Sequence, residues 1–289
     1  MTLEPAIGII GGSGLYDIEG IENKKEVRVE TPFGDPSGVL RVGEINGRKV
    51  VFIARHGEGH WVDPTHIPYR ANIHALKQMG VRKIFSVSAV GSMKEEIEAG
   101  DMVAIDQFID RTRHRADSFY GDGCVAHIAF SDPICPGLQK KLVSSSKAME
   151  LRVHDGGTYV CMEGPAFSTR AESLMYRTFG VSVIGMTNLT EAKLAREAEI
   201  CYATLALATD YDCWHEGEED VTVEGVVATL KRNVANAKRI LAHALANTDA
   251  SKDCFCNHSL EGAIMTAPGA ISPESREKLA LLLERSMSL

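Results

Sequence analysis

Residues 6–17 read AIGIIGGSGLYD, a short apolar run that breaks into Gly11-Gly12-Ser13-Gly14. A strand without polar alternation has both faces covered, the mark of a sheet sandwiched between helices. Further apolar runs lie at 50–54, 84–89, 102–105, 158–161, 181–186 and 202–209, and several of them share that property. Helical patterns lie between or after them, at 70–79, 137–150, 170–178, 189–199 and 222–246. The last carries Val223, Val226, Val227, Leu230 and Val234 near a 3.6-residue period. This alternation predicts an α/β fold: a single-domain three-layer sandwich with a central mixed, largely parallel sheet flanked by helices.

The 289 residues suffice for a full-sized core. A net charge of -8 argues against nucleic-acid binding, which needs clustered Lys and Arg. No apolar run approaches the roughly 20 residues that cross a bilayer, and no basic segment precedes the first one. A cytoplasmic protein with no membrane partner is therefore expected. Residues 1–250 read as the main domain. Residues 251–289 read as an extension with a Cys-x-Cys and a terminal helix over 273–289, part of the same domain or an oligomer contact. The polar stretch 112–125 reads as an excursion that covers a site or reaches a neighbouring subunit. Of seven cysteines, Cys124, Cys135, Cys161, Cys201 and Cys213 stand singly, as reduced core thiols do. Cys254-Phe255-Cys256 leaves open a strained disulfide, a metal site or idle thiols.

The glycine loop by itself decides little. A dinucleotide fingerprint needs a third glycine where Asp17 stands, and a phosphate-binding loop of the nucleotide type needs a Lys that is absent. One hydroxyl and a tight turn suffice for a single phosphate group. Arg55 and His56 end a second apolar run within ARHGEGH, where the arginine is expected to grip two phosphate oxygens. A metal reading of His56, Glu58, His60 and His66 ranks lower, because H-x-E-x-H lacks the helical spacing of metal motifs. Ser88-Ala89 and Met186-Thr187 end two further runs. The run 202–209 delivers Asp210, Tyr211 and Asp212 next to Trp214. Ligands of α/β sheets sit at such carboxyl ends. An anion site beside carboxylates and aromatics suggests a phosphate-consuming reaction of a nucleoside.

The co-linear stretches IGIIGGSGLYD, TPFGDPSG, ARHGEGH, NIHALK, SAVGSMKEEIEAGD, DQFIDRT, EGPAFSTRAES, GMT and ATDYDCW resemble one family. It is the S-methyl-5'-thioadenosine phosphorylase branch of the purine nucleoside phosphorylase superfamily, and the likeness spans roughly residues 7–245. The resemblance implies a metal-free, cofactor-free reaction in which inorganic phosphate is co-substrate, run by a homotrimer or a dimer of trimers. It implies a phosphate site of Ser13, Arg55, His56, Ser88, Ala89 and Thr187. Met186 would pack on the ribose, Asp210 would act as general acid at N7 of the purine, and Asp212 would face the 6-amino group. Phe167 would stack on the base, with Tyr211 also lining the substrate site. Ser168, Val223, Val226 and Val227 would set specificity, and His127 would enter from the adjacent subunit.

Two positions depart from the pattern: Ala166 replaces an Arg of many relatives, and Gly185 replaces an Asn of animal members. A phosphorylase of 6-oxopurine nucleosides or methylthioinosine is the alternative reading, and a nucleoside hydrolase a more distant one. Archaeal relatives carry a similar C-x-C near the end, sometimes with further disulfides, and in a thermophile the resemblance extends to a Cys135–Cys201 pairing.

Overall fold

The computed structural model describes residues 3–215 and 223–286; the side chains of Ser13 and of residues 223–227 lie outside that description. Its strands are β1 (Ala6–Gly11), β2 (Glu22–Val27), β3 (Leu40–Ile45), β4 (Arg48–Ala54), β5 (Val81–Ser92), β6 (Met102–Ala104), β7 (Gln107–Arg111), β8 (Val153–Asp155), β9 (Thr158–Met162), β10 (Val183–Gly185) and β11 (Cys201–Tyr211). Its helices are α1 (Tyr69–Gln78), α2 (Pro136–Ala148), α3 (Arg170–Thr178), α4 (Asn188–Glu197), α5 (Val223–Ala246) and α6 (Pro273–Leu283).

All eleven strands join one sheet. Six of its ten pairings are parallel, so the sheet is mixed and largely parallel as expected. The order runs β2-β3-β4-β1-β5-β10-β9-β7, with β11, β6 and β8 branching from β5. Helices α1 and α4 pack together on one side, against β5 and β11, while α2 and α5 pack together against β11 on the other. The apolar stripe of each helix meets strands whose both faces are buried, so burial rather than helix propensity fixes the layers.

Local chemistry sets the element ends. Pro136 opens α2, where its missing N–H costs nothing. Thr169 and Glu172 form a capping box at the start of α3. Gly80 ends the α1 turn at φ +84, with the Glu4 carbonyl occupying the place where a Cβ would stand. Residues 251–286 fold onto the same body, since Cys256, Leu260, Ile271, Leu279, Leu282 and Leu283 belong to the main core.

The feature that creates a site lies along β5. On one edge, β1 pairs with Val81–Ser86 and β10 pairs antiparallel with Gly91 and Ser92. Residues 87–90 have no strand neighbour on that edge among the described residues. On the other edge β11 continues from Lys83 to Ser92. The sheet therefore has a slot at the carboxyl ends of β1 and β4, where the strand order changes direction.

Candidate active site

Arg55 follows β4 directly, and its backbone N–H donates to the Gly11 carbonyl at 3.0 Å, joining the two strand ends that face the slot. Its side chain is buried. Nε donates to Glu191 Oε1 at 2.6 Å, one Nη2 proton to Glu191 Oε2 at 3.2 Å, the other to Ser86 Oγ at 2.6 Å, and Nη1 to the Val87 carbonyl at 2.7 Å. Of five guanidinium protons, one on Nη1 is left by these bonds. The two-oxygen phosphate grip expected from the sequence is therefore corrected: Glu191 takes the paired donors. Burial works against the cation, but Glu191 more than offsets it and holds Arg55 above its ordinary pKa.

Behind this pair runs a buried polar network. Ser86 and Tyr202 hydroxyls donate to Glu191 Oε2 at 2.7 and 2.8 Å. The two Asn188 amide protons are shared among the Ser86, Tyr202 and Thr204 hydroxyl oxygens, and its carbonyl accepts from Ser88 Oγ at 2.5 Å. Asn188 and Glu191 stand three residues apart, on one face of the first turns of α4. Thr187 is the helix's N-cap residue, and its side chain makes no capping bond. The first-turn N–H groups and the helix dipole thus add to an anion-attracting surface beside the slot. Ala89 is exposed although its strand neighbours Ser88 and Val90 are buried, so this stretch of β5 opens onto space. Glu191, Asn188 and Tyr202 do not stand out in the sequence, where they read as ordinary helix and strand residues. The three-residue spacing of Asn188 and Glu191 directly after Thr187 is the one signal available there.

His56 donates Nδ1–H to the Val62 carbonyl at 2.8 Å and stacks on His60, ring centroids 4.1 Å apart. Burial pushes its pKa down to about 4, against a partial rise from the Val62 bond. A neutral ring with Nδ1 protonated leaves Nε2 as an acceptor. Gly57 turns at φ +73, and the Trp61 indole lies where its Cβ would be, so only glycine fits. Of the groups in the metal alternative, Glu58 pairs with Arg41 at 3.5 Å and His66 with Asp63 at 2.7 Å. Among the described residues these groups do not converge on one point.

At the far end of the slot, β11 carries a bulge: Ala208 faces Val90, but Asp210 faces Gly91. The extra residue re-aims the side chains after it. A Cβ on Gly91 would lie 3.4 Å from Asp210 Oδ1 and 3.5 Å from Asp212 Cβ, so this glycine lets both aspartates gather over the strand. Thr209 Oγ1 donates to Asp210 Oδ2 at 2.6 Å. Asp212 Oδ2 is buried without a hydrogen-bond partner among the described residues. Strand alternation sends Tyr211 to the opposite face, where it packs against Trp214 and His215 and donates to the Glu95 carbonyl at 3.0 Å. Its expected place in the substrate site gives way to a buttressing one.

Met186 links β10 to α4, with its sulfur 2.6 Å from where a Gly164 Cβ would stand. Arg115, from the polar excursion, donates to the Met186 carbonyl, to the Glu163 carbonyl at 2.7 Å and to the Tyr69 hydroxyl at 3.0 Å. The excursion thus braces the site from behind. The departure at Gly185 has a steric cause: the Tyr159 hydroxyl occupies the place of its missing Cβ. Phe167 is 84 % exposed, in the loop that carries Ala166. Ser168 Oγ meets Met162 Sδ at 3.5 Å, and its carbonyl meets the Cys213 thiol at 3.5 Å. His127 is exposed and belongs to another region, its N–H on the Ala263 carbonyl at 2.9 Å. The side chains of Ser13, Val223, Val226 and Val227 lie outside the described residues.

A slot in a mixed sheet, with an anion-attracting wall and two aspartates over one glycine, defines the class: residues 6–246 match the family model of the phosphorylase superfamily. The chain is 55% identical over 282 residues to S-methyl-5'-thioadenosine phosphorylase of Geobacter sulfurreducens, covering 97% of this chain and 99% of that one. It is 53% identical to the enzyme of the same name from Synechocystis, covering 96% and 86%. The crystal structure of a methylthioadenosine phosphorylase from an antarctic soil metagenomic library superposes with a TM-score of 0.93 at 46% identity, covering 98% and 100%. An adenosine/methylthioadenosine phosphorylase mutant of Schistosoma mansoni, in complex with methylthioadenosine, gives 0.82 at 30% identity, covering 97% and 98%. The chain belongs to the S-methyl-5'-thioadenosine phosphorylase family of that superfamily.

Proposed function

We propose that this chain splits S-methyl-5'-thioadenosine with inorganic phosphate, giving adenine and 5-methylthioribose 1-phosphate. The observation that carries the adenine assignment is Asp212 Oδ2, a buried acceptor without a partner among the described residues. Such an atom costs free energy until a donor reaches it. The 6-amino group of adenine donates; the 6-oxo group of hypoxanthine or guanine only accepts. The names of the relatives support the same substrate.

The chemistry uses the two ends of the slot. Phosphate lies among Ser13, the remaining Arg55 proton, His56, Ser88, Ala89 and Thr187, with its hydroxyl donating to His56 Nε2. A phosphate oxygen attacks C1' as the C1'–N9 bond breaks. The bonding electrons leave with the purine, which takes a proton at N7 from Asp210. Positive charge grows on the sugar beside the phosphate and negative charge on the base beside the acid, so both are stabilised where they appear. Met186 packs on the ribose and Phe167 closes over the base. Ser168 and the apolar residues Val223, Val226 and Val227 receive the 5'-methylthio group, with His127 from a neighbouring subunit. The working form is a homotrimer or a dimer of trimers in the cytoplasm, needing no cofactor besides the phosphate co-substrate.

The test tracks methylthioadenosine, inosine and methylthioinosine by chromatography, with and without phosphate. Phosphate-dependent adenine release is expected. Base release that ignores phosphate would make the chain a hydrolase, and a preference for inosine would overturn the adenine assignment.

A further inference from the structure

Cysteines that stand singly in the sequence are gathered by the fold. The sulfur atoms of Cys135, Cys201, Cys254 and Cys256 all lie within 4.8 Å of one another. Three of the four residues are buried and Cys254 is half-buried. They come from three separate parts of the chain. Cys135 caps α2, Cys201 begins β11, and Cys254 and Cys256 flank the start of the turn Phe255–His258. The reading of Cys135 and Cys201 as isolated core thiols is therefore corrected.

Four sulfurs each ~2.3 Å from a tetrahedral zinc stand ~3.8 Å apart. Cys135 Sγ and Cys254 Sγ are 3.8 Å apart. From this geometry we propose that the four cysteines form a structural, all-thiolate site for a thiophilic divalent metal ion, zinc first among them. Closed, four-sulfur donor sets are those of structural rather than catalytic zinc. Each thiol gives its proton to solvent as it binds, and no electrons move.

The surroundings suit a centre that carries net negative charge. The Leu138 N–H, in the first turn of α2, points to the Cys135 sulfur. The Arg196 guanidinium lies close enough to Cys256 to act on it electrostatically, a positive charge beside the four sulfurs. Arg196 is itself buried and held by the Ala129 and Asp132 carbonyls at 3.0 and 2.7 Å. Such outer partners orient and tune a metal centre. Asp210 lies nine residue steps along β11 from Cys201, roughly 30 Å at strand rise, so the metal is remote from the reaction.

Its effect is to fasten the C-terminal segment. Asn257, between the cluster and the rest of the tail, already donates to the Glu199 carbonyl at 2.7 Å and accepts Arg285 Nη1 on its carbonyl at 3.0 Å. Ile264 bridges Ala126, next to His127. The metal thus pins the tail segment against which His127 lies.

The test uses the full-length protein, purified under reductant without chelator, and elemental analysis. About one zinc per chain is expected. After stripping, Co2+ should give thiolate charge-transfer and tetrahedral ligand-field bands that Zn2+ abolishes. Cys254→Ser and Cys256→Ser should weaken zinc by at least about a hundredfold, while Cys124→Ser should leave it unchanged. If those variants fail to fold, the cobalt spectrum and metal content of the unaltered protein decide alone. A fully reduced chain with neither zinc nor a cobalt spectrum overturns the proposal. So does an as-purified mass, after alkylation without reductant, that shows these cysteines joined as disulfides.

Discussion

Arg55 and Glu191 meet at 2.6 Å with both side chains almost wholly shielded from water, 4 % and 3 % exposed. The arginine that the sequence offers as the anion clamp is thus held chiefly by a carboxylate from α4. An ion pair in such a place is weak evidence for stability but costly to halve, because the remaining charge stays buried. Glu191→Gln should lower the unfolding free energy by about 3–5 kcal/mol in phosphate-free buffer. The orphaned cation should then gain more from an added anion than the unaltered protein does. Thermal unfolding with and without phosphate measures both effects; equal phosphate shifts in the two proteins would count against this role.

Asp210 and Asp212 divide the work at the base. Asp210 stands at the bulge, and Asp210→Asn removes the proton donor, so kcat/KM on methylthioadenosine should fall about 10²–10⁴-fold. Asp212→Asn exchanges an acceptor for a donor at a buried position. It should cost methylthioadenosine about 1–3 kcal/mol of transition-state binding while favouring methylthioinosine. Specificity ratios on the two substrates check this, and an unchanged ratio would detach Asp212 from base recognition.

Gly185 and Tyr159 form a second coupled pair. An added Cβ at 185 would overlap the tyrosine hydroxyl and stand 2.6 Å from its Cζ. That hydroxyl also receives the Thr187 N–H at 3.4 Å, at the entry to α4. Gly185→Asn should therefore destabilise the protein by a few kcal/mol, about the penalty of an overpacked core. Adding Tyr159→Ala should recover part of that loss, a non-additivity that a double-mutant cycle reads directly. Strictly additive denaturation midpoints would contradict the clash.

The parts of this molecule that are legible in the sequence share one property: they repeat. Buried strands such as β1 and β11 announce themselves by unbroken apolar runs, and the paired aspartates come directly after one such run. Strand β2, ENKKEV, cannot be read that way, because it is solvated and owes its place to hydrogen bonds with β3. Glu191 is hidden for the opposite reason. A charged residue in a helix reads as surface, and only the tertiary meeting with Arg55 reverses that. The slot along residues 87–90 is likewise a property of pairing, since it depends on where β1 stops and β10 begins. The cysteine cluster needs the same information, joining positions 119 residues apart in the chain.

His56 provides a pH test whose sign is fixed by burial. Its pKa falls from 6.5 in the exposed ring to about 4 in the fold, chiefly because the protein shields it from water. The folded state therefore prefers the neutral imidazole, and the unfolded state binds the proton more tightly. The contribution to stability is fully present above pH 6.5 and is lost as pH falls from 6.5 towards 4. His56→Asn retains an amide donor for the Val62 carbonyl but does not titrate. Between pH 7 and 5 the urea midpoint of the unaltered protein should drop more steeply than that of the variant. Parallel profiles would mean that His56 keeps its ordinary affinity for protons in the fold.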